Sequence, residues 1–126
     1  MAKNPHQKLK LLYLHQILLQ KTDENHKLSM EDILRALACY GIEAERKSIY
    51  SDIAALQDFG LDVILQRGPG GGYYVASRDF ELPELKLLVD AIQCSRFITQ
   101  KKSDELIHKI ESLASEPQAR VLQRQV

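Results

Sequence analysis

Glu45-Arg46-Lys47-Ser48-Ile49-Tyr50-Ser51-Asp52-Ile53-Ala54-Ala55-Leu56-Gln57-Asp58-Phe59-Gly60 is the stretch on which the fold turns. At about 100° per residue, Ile49, Ile53 and Leu56 fall on one face of a helix and point inward together. Lys47, Ser51 and Ala54 then point nearly opposite, with Ser48 and Tyr50 at the flanks. Arg46 and Lys47 open the helix. Asp52 leans toward the core side, whereas Asp58 lies on the outer face at the far end. Gly60 stops the helix.

Upstream, residues 8–21 are rich in Leu and Ile with Lys and Gln interspersed, which predicts a helix with a broad apolar face. Residues 22–27 are polar and read as a loop. Ser29-Met30-Glu31-Asp32 has capping-box form, a hydroxyl with an acid three residues on. Behind it Met30, Ile33, Leu34, Leu37 and Ala38 make one helical stripe. Cys39 lies in that stripe and reads as a packed thiol. Tyr40-Gly41 ends the helix, with glycine free to take positive φ just past the last turn.

Downstream the period changes. Residues 63–67 and 73–75 are β-branched or aromatic runs on either side of Gly68-Pro69-Gly70-Gly71-Gly72, which predicts a hairpin. Tyr73 and Tyr74 alternate, so one packs on the helices and the other faces outward. Glu81-Leu82-Pro83-Glu84 starts a further helix, with Leu85, Leu88, Val89 and Ile92 as its stripe, running to Phe97. The next helix takes Thr99 or Ser103 as N-cap and Leu106, Ile107, Ile110 and Leu113 as its apolar face. After Ser115 the pattern fades through Pro117. The expected organisation is therefore a first domain over 1–79, a helical connector over 80–115 that can pair two copies, and a polar tail over 116–126.

Composition narrows the function. The 126 residues are 44% hydrophobic and 27% charged, which suits a folded domain rather than a disordered chain. Lys plus Arg (17) equals Asp plus Glu (17), so any nucleic-acid binding must come from local placement of charge. Cys39 and Cys94 both fall in apolar-periodic stretches, and two buried thiols fit a reduced cytoplasmic protein. Residues 1–6 have no apolar core of a secretory leader, and no run is long enough to span a bilayer. His6, His15, His26 and His108 have no Cys or carboxylate at metal-ligand spacing. The glycine run leads into a strand with no Lys-Ser/Thr after it, so it is not a phosphate-gripping P-loop. No nucleophile elbow or His-Glu-x-x-His is present, and neither an enzyme nor a cofactor site is expected.

Three helices followed by a two-stranded hairpin is the plan of a winged helix-turn-helix, so the expected class is mainly α with a small β-hairpin. In that plan the second helix braces the third, and the third lays its free face in the major groove of duplex DNA. Arg can grip guanine with two hydrogen bonds, while Lys, Ser and Tyr can reach bases or phosphates. Arg67 at the entrance of the turn, with exposed glycine N–H groups behind it, makes the hairpin a second contact surface. The rival reading is a winged-helix module whose third helix and wing face a protein, and the sequence pI of about 6.9 favours it.

Residues 45–60 resemble the recognition-helix signature of DeoR-like winged-helix repressors, and more closely that of bacterial regulators carrying a WYL domain. Gly70-Gly71-Gly72-Tyr73-Tyr74-Val75 looks like their wing, and residues 80–91 are similar to the helices they place between DNA-binding and sensing domains. The resemblance implies a sequence-specific transcriptional regulator that binds double-stranded DNA; because one module makes few contacts and the connector helices have large apolar faces, a homodimer on two half-sites is expected. It makes Arg46, Lys47, Ser48, Tyr50 and Ser51 the DNA-facing set and Arg67 a wing contact. Ser51 stands where the family often has Arg. The chain ends at Val126, before a WYL domain would begin, so an effector is expected to bind outside these residues.

Overall fold

The computed structural model describes residues 6–124, without the His6 side chain. Residues 1–5, read above as carrying no leader, and the last two residues of the expected tail lie outside them. The chain divides into two compact units, Met1–Ala76 and Ser77–Val126.

The first unit runs α1 (His6–Lys21), α2 (Met30–Cys39), α3 (Arg46–Phe59), β1 (Val63–Gln66) and β2 (Gly72–Val75). Its core joins Leu14, Ile17 and Leu18 of α1, Ile33 and Leu37 of α2, Ile49, Ile53 and Leu56 of α3, and Val63 and Val75 of the hairpin. The 3.6-residue stripes of three helices therefore converge on one centre, each large side chain contributing about 1.5–3 kcal/mol by leaving water. α2 starts as its capping box dictates: Ser29 Oγ accepts the Asp32 N–H, and Asp32 accepts the Ser29 N–H. It ends with Gly41 at φ 77°.

β1 and β2 pair antiparallel, Val63 with Val75 and Gln66 with Gly72. Leu28, between α1 and α2, adds a one-residue bridge on the free side of β2, exchanging both backbone hydrogen bonds with Tyr73. Gly72 permits this approach, because a Cβ there would lie 2.6 Å from the Leu28 carbonyl oxygen.

The second unit contains α4 (Leu82–Cys94), α5 (Gln100–Glu111) and α6 (Glu116–Gln123). Its core is Leu85, Val89, Ile107, Ala114 and Leu122. Among the described residues no helix is long and apolar enough to cross a membrane.

Several expectations need correction. Residues 116–123, expected as polar tail, form α6. Ser115-Glu116-Pro117-Gln118 is itself a capping box, and it buries Leu122 completely. α4 stops at Cys94 instead of Phe97, because the Ser95 hydroxyl captures the Phe97 N–H and offers the backbone an alternative to the next helical turn. Phe97 is left fully exposed. α5 begins at the Thr99 cap and ends before Leu113, which is exposed while Ala114 is buried.

Neither thiol is packed: Cys39 and Cys94 are both exposed. Each is the last residue of its helix, turned about 200° from Leu37 and about 140° from Val89, so neither shares the buried stripe. Ala38, expected in the stripe of α2, is exposed as well; only Met30, Ile33 and Leu37 of that helix are buried. In the expected loop, Thr22 and Asp23 are buried. The Thr22 hydroxyl donates to the Leu18 carbonyl and accepts the Val75 N–H, joining α1 to β2.

Candidate functional site

The start of α3 departs from those of α2, α4, α5 and α6. α2, α4, α5 and α6 each have a side-chain oxygen accepting a backbone N–H at the N-terminus. The N-cap of α3 is Glu45, whose side chain makes no such bond, and no acid occupies the first turn. Instead Arg46 and Lys47 stand at the positive end of the helix dipole, a placement that local helix energetics disfavours. Among the described residues no side chain caps the first backbone N–H groups of α3, which stand beside two cations, an arrangement suited to anions such as phosphate.

The outer face of α3 is bare. Lys47, Ser51, Ala54 and Ala55 are exposed, and Tyr50 retains 53% of its accessible surface. The small residues let another surface approach the helix backbone closely. Lys47 makes no ion pair among the described residues.

Two of the six candidate residues are already engaged. The Arg46 guanidinium pairs with the Glu31 carboxylate at the start of α2, both side chains being more than half exposed. The pairing, chiefly through the hydrogen bond, holds the Glu31 carboxyl below its ordinary range and raises Arg46. Ser48 is half-buried and accepts a hydrogen bond from the Lys10 ammonium, which also pairs with Asp52 at 3.0 Å. Ser48 thus points into the α1–α3 seam, because its position on the flank of the helix brings it under Lys10 instead of outward with Ser51.

The hairpin lies beside this face. Gln57 Nε2 of α3 donates to the Val63 carbonyl at 2.8 Å, holding the root of β1. Burial is the main cause raising the Tyr73 phenol above its ordinary value; Tyr50 adds to the rise and Arg67 opposes it. Of the alternating pair, Tyr73 packs inward and Tyr74 is half-buried, with the Lys27 ammonium 5.0 Å from its ring centre.

Sequence reading missed Lys10 and Glu31. Lys10 was legible in principle, since it falls in line with Leu14, Ile17 and Leu18 on the buried face of α1. Glu31 had no such signal, being simply an acid in a first turn. Among the described residues no three His, Cys, Asp or Glu side chains gather as a metal site. Compared with known proteins, the chain matches no family model, no curated protein and no solved structure.

Proposed function

We propose that the first unit is a DeoR-like winged helix-turn-helix that binds double-stranded DNA in a sequence-specific way, as part of a cytoplasmic transcriptional regulator. α3 is the recognition helix, and the β1–β2 hairpin is the wing. The observation that carries the reading is the start of α3: two exposed cations and uncapped N–H groups lead into a face of small and polar residues. Tyr50 and Ser51 meet the groove directly, Lys47 meets the phosphates at its edge, Arg46 enters the groove from its pairing with Glu31, and Arg67 meets the backbone or minor groove from the wing. Ser48 acts by fixing the helix against Lys10.

One such unit makes few contacts, and a chain of zero net charge attracts DNA weakly, so two half-sites are needed. The second unit supplies the pairing element in this reading, since Leu87 of α4 and Phe97 after it are 70% and 100% exposed. Sedimentation of the chain at high concentration checks this part; a strict monomer removes it.

The central test is selection of bound duplexes from a random pool, followed by a salt titration on the selected sequence. A reader with several phosphate contacts loses affinity steeply as salt rises. Lys47→Glu should abolish retention of the selected duplex and leave the melting temperature unchanged, because that side chain is exposed. A variant that binds as well as the parent removes α3 from the interface.

The rival, a protein-binding module, draws support from the carboxylates around the basic start: Glu31 of α2 pairs with Arg46, and Glu43 and Glu45 line a hollow of about 460 Å³ with Lys10 and Ser48. It predicts no selected sequence and no steep salt dependence.

A further inference from the structure

On the reading that α3 meets duplex DNA, we infer that Glu31 is a positioning residue that reserves Arg46 for a base edge and withholds it from phosphates. The two side chains come from different helices. Glu31 is the second residue of α2, fixed there by the Ser29–Asp32 capping box, and Arg46 is the first residue of α3. The pair spans this gap through one guanidinium nitrogen, Nη2, and one carboxylate oxygen, Oε1.

An arginine has five N–H donors in a planar fork, so one contact to a carboxylate fixes the plane and leaves donors over. Those donors can still meet the O6 and N7 acceptors of guanine, which carry no net charge. A phosphate is different. It must approach a guanidinium whose charge is already offset, against the repulsion of the Glu31 carboxylate. Generic duplex binding, which depends on phosphate neutralisation, is thereby weakened more than binding to a matching sequence.

The neighbouring side chain gives the contrast. Lys47 is exposed and has no carboxylate partner among the described residues, so it remains available for the backbone. The two cations that open α3 thus have divided tasks, one for sequence and one for phosphate. In a chain with equal numbers of acids and bases, this carboxylate limits adhesion to arbitrary DNA at the one cation it faces.

The experiment compares the full chain with Glu31→Gln, Arg46→Ala and the double variant on a random-sequence duplex across a salt series. Glu31→Gln should bind that duplex more tightly, with the log–log salt slope steeper by about one unit, the signature of one added phosphate contact. In the Arg46→Ala background the same change at Glu31 should produce no gain. An unchanged slope in Glu31→Gln, or a gain that persists without Arg46, overturns the inference. Its fate is separable from that of the DNA reading, which is tested by whether the parent selects a sequence from a random pool. A parent that selects none, with the Arg46-dependent gain intact, sinks sequence recognition and with it the base-edge task of Arg46, and leaves standing only that Glu31 withholds Arg46 from phosphates. A parent that selects one, with Glu31→Gln unchanged, sinks only the role of Glu31, and failure of all four proteins to bind any duplex sinks both. Melting curves serve as the control, since Glu31 is exposed and the cap belongs to Ser29 and Asp32.

Discussion

The Lys10 ammonium of α1 lies 3.0 Å from the Asp52 carboxylate of α3, with only 5% and 21% of the two side chains exposed. The same ammonium donates to Ser48 one turn earlier on α3. A single cation thus holds α3 at two points and sets which edge of it faces outward. Removing one partner leaves the other charge largely out of water. Lys10→Met should cost about 2–3 kcal/mol, below the usual figure for a fully buried pair because Asp52 is a fifth exposed. Adding Asp52→Leu should recover most of the loss, as urea unfolding of the double-mutant cycle would show. A neutral Lys10→Met would mean that the pair does not hold α3.

The wing depends on a missing side chain. At Gly72, with φ 156°, an added Cβ would meet the Leu28 carbonyl oxygen at 2.6 Å and its carbon at 2.8 Å. Both atoms are backbone and are fixed by the Leu28–Tyr73 pairing, so neither can yield alone. Gly72→Ala should therefore cost about 2 kcal/mol or more and raise protease cleavage in the hairpin. Gly70→Ala, strained at φ 74° but facing open space, should cost less. Equal losses at the two positions would show that conformation alone, and not the approach of Leu28, limits Gly72.

Much of this was legible in the chain itself. Ile49, Ile53 and Leu56 turn inward as their spacing requires, and the change of period after Gly60 marks the hairpin. What periodicity misses are contacts made across the fold. Lys10 shares the stripe of Leu14, Ile17 and Leu18, but nothing in the spacing names its partners until the fold brings Asp52 to it, and Arg46 looks free until α2 presents Glu31. α6 was missed for another reason: its capping signal at Ser115-Glu116-Pro117-Gln118 was present, but eight residues with one large buried leucine give little stripe to see. The proposed DNA-facing role of α3 rests on the chemistry of its exposed edge and on the resemblance of residues 45–60.

Both cysteines end helices and face outward. A thiol reagent such as dithionitrobenzoate should titrate two groups per chain without denaturant. Protection of Cys94 that disappears on dilution would place it in a contact between copies, whereas protection of Cys39 at every concentration would contradict its exposure at the end of α2.

Acid should loosen α2 through its cap. The Asp32 carboxyl is held below its ordinary value of 3.8, first by the Ser29 N–H, against an opposing effect of burial; the Ser29 hydroxyl and Arg35 add to the lowering. A carboxyl lowered on folding stabilises the native state fully above its unfolded value, and that contribution is lost as pH falls through the lower native one. Ser29→Ala should cost about 1 kcal/mol at neutral pH. The melting-temperature gap between the parent and Asp32→Asn should be widest near neutrality and shrink as pH falls below the unfolded value of 3.8 and through the lower native one. A gap independent of pH would assign the effect of Asp32 to its shape and not to its charge.

The second unit offers the sharpest check on α6. Leu122 is completely buried against the cluster of Leu85, Val89, Ile107 and Ala114, a core with few other large side chains. Truncation to alanine removes its transfer energy and leaves a cavity that so small a cluster can fill only by letting α6 move. Leu122→Ala should cost about 3 kcal/mol and release the amides of 116–123 to hydrogen exchange ahead of the rest of the unit. Leu113→Ala is the control. It removes the same atoms from a leucine that is 46% exposed, and it should change stability by less than about 1 kcal/mol. If both truncations are equally mild, residues 116–123 behave as the polar tail that their composition first suggested, and the core of the second unit must close without them.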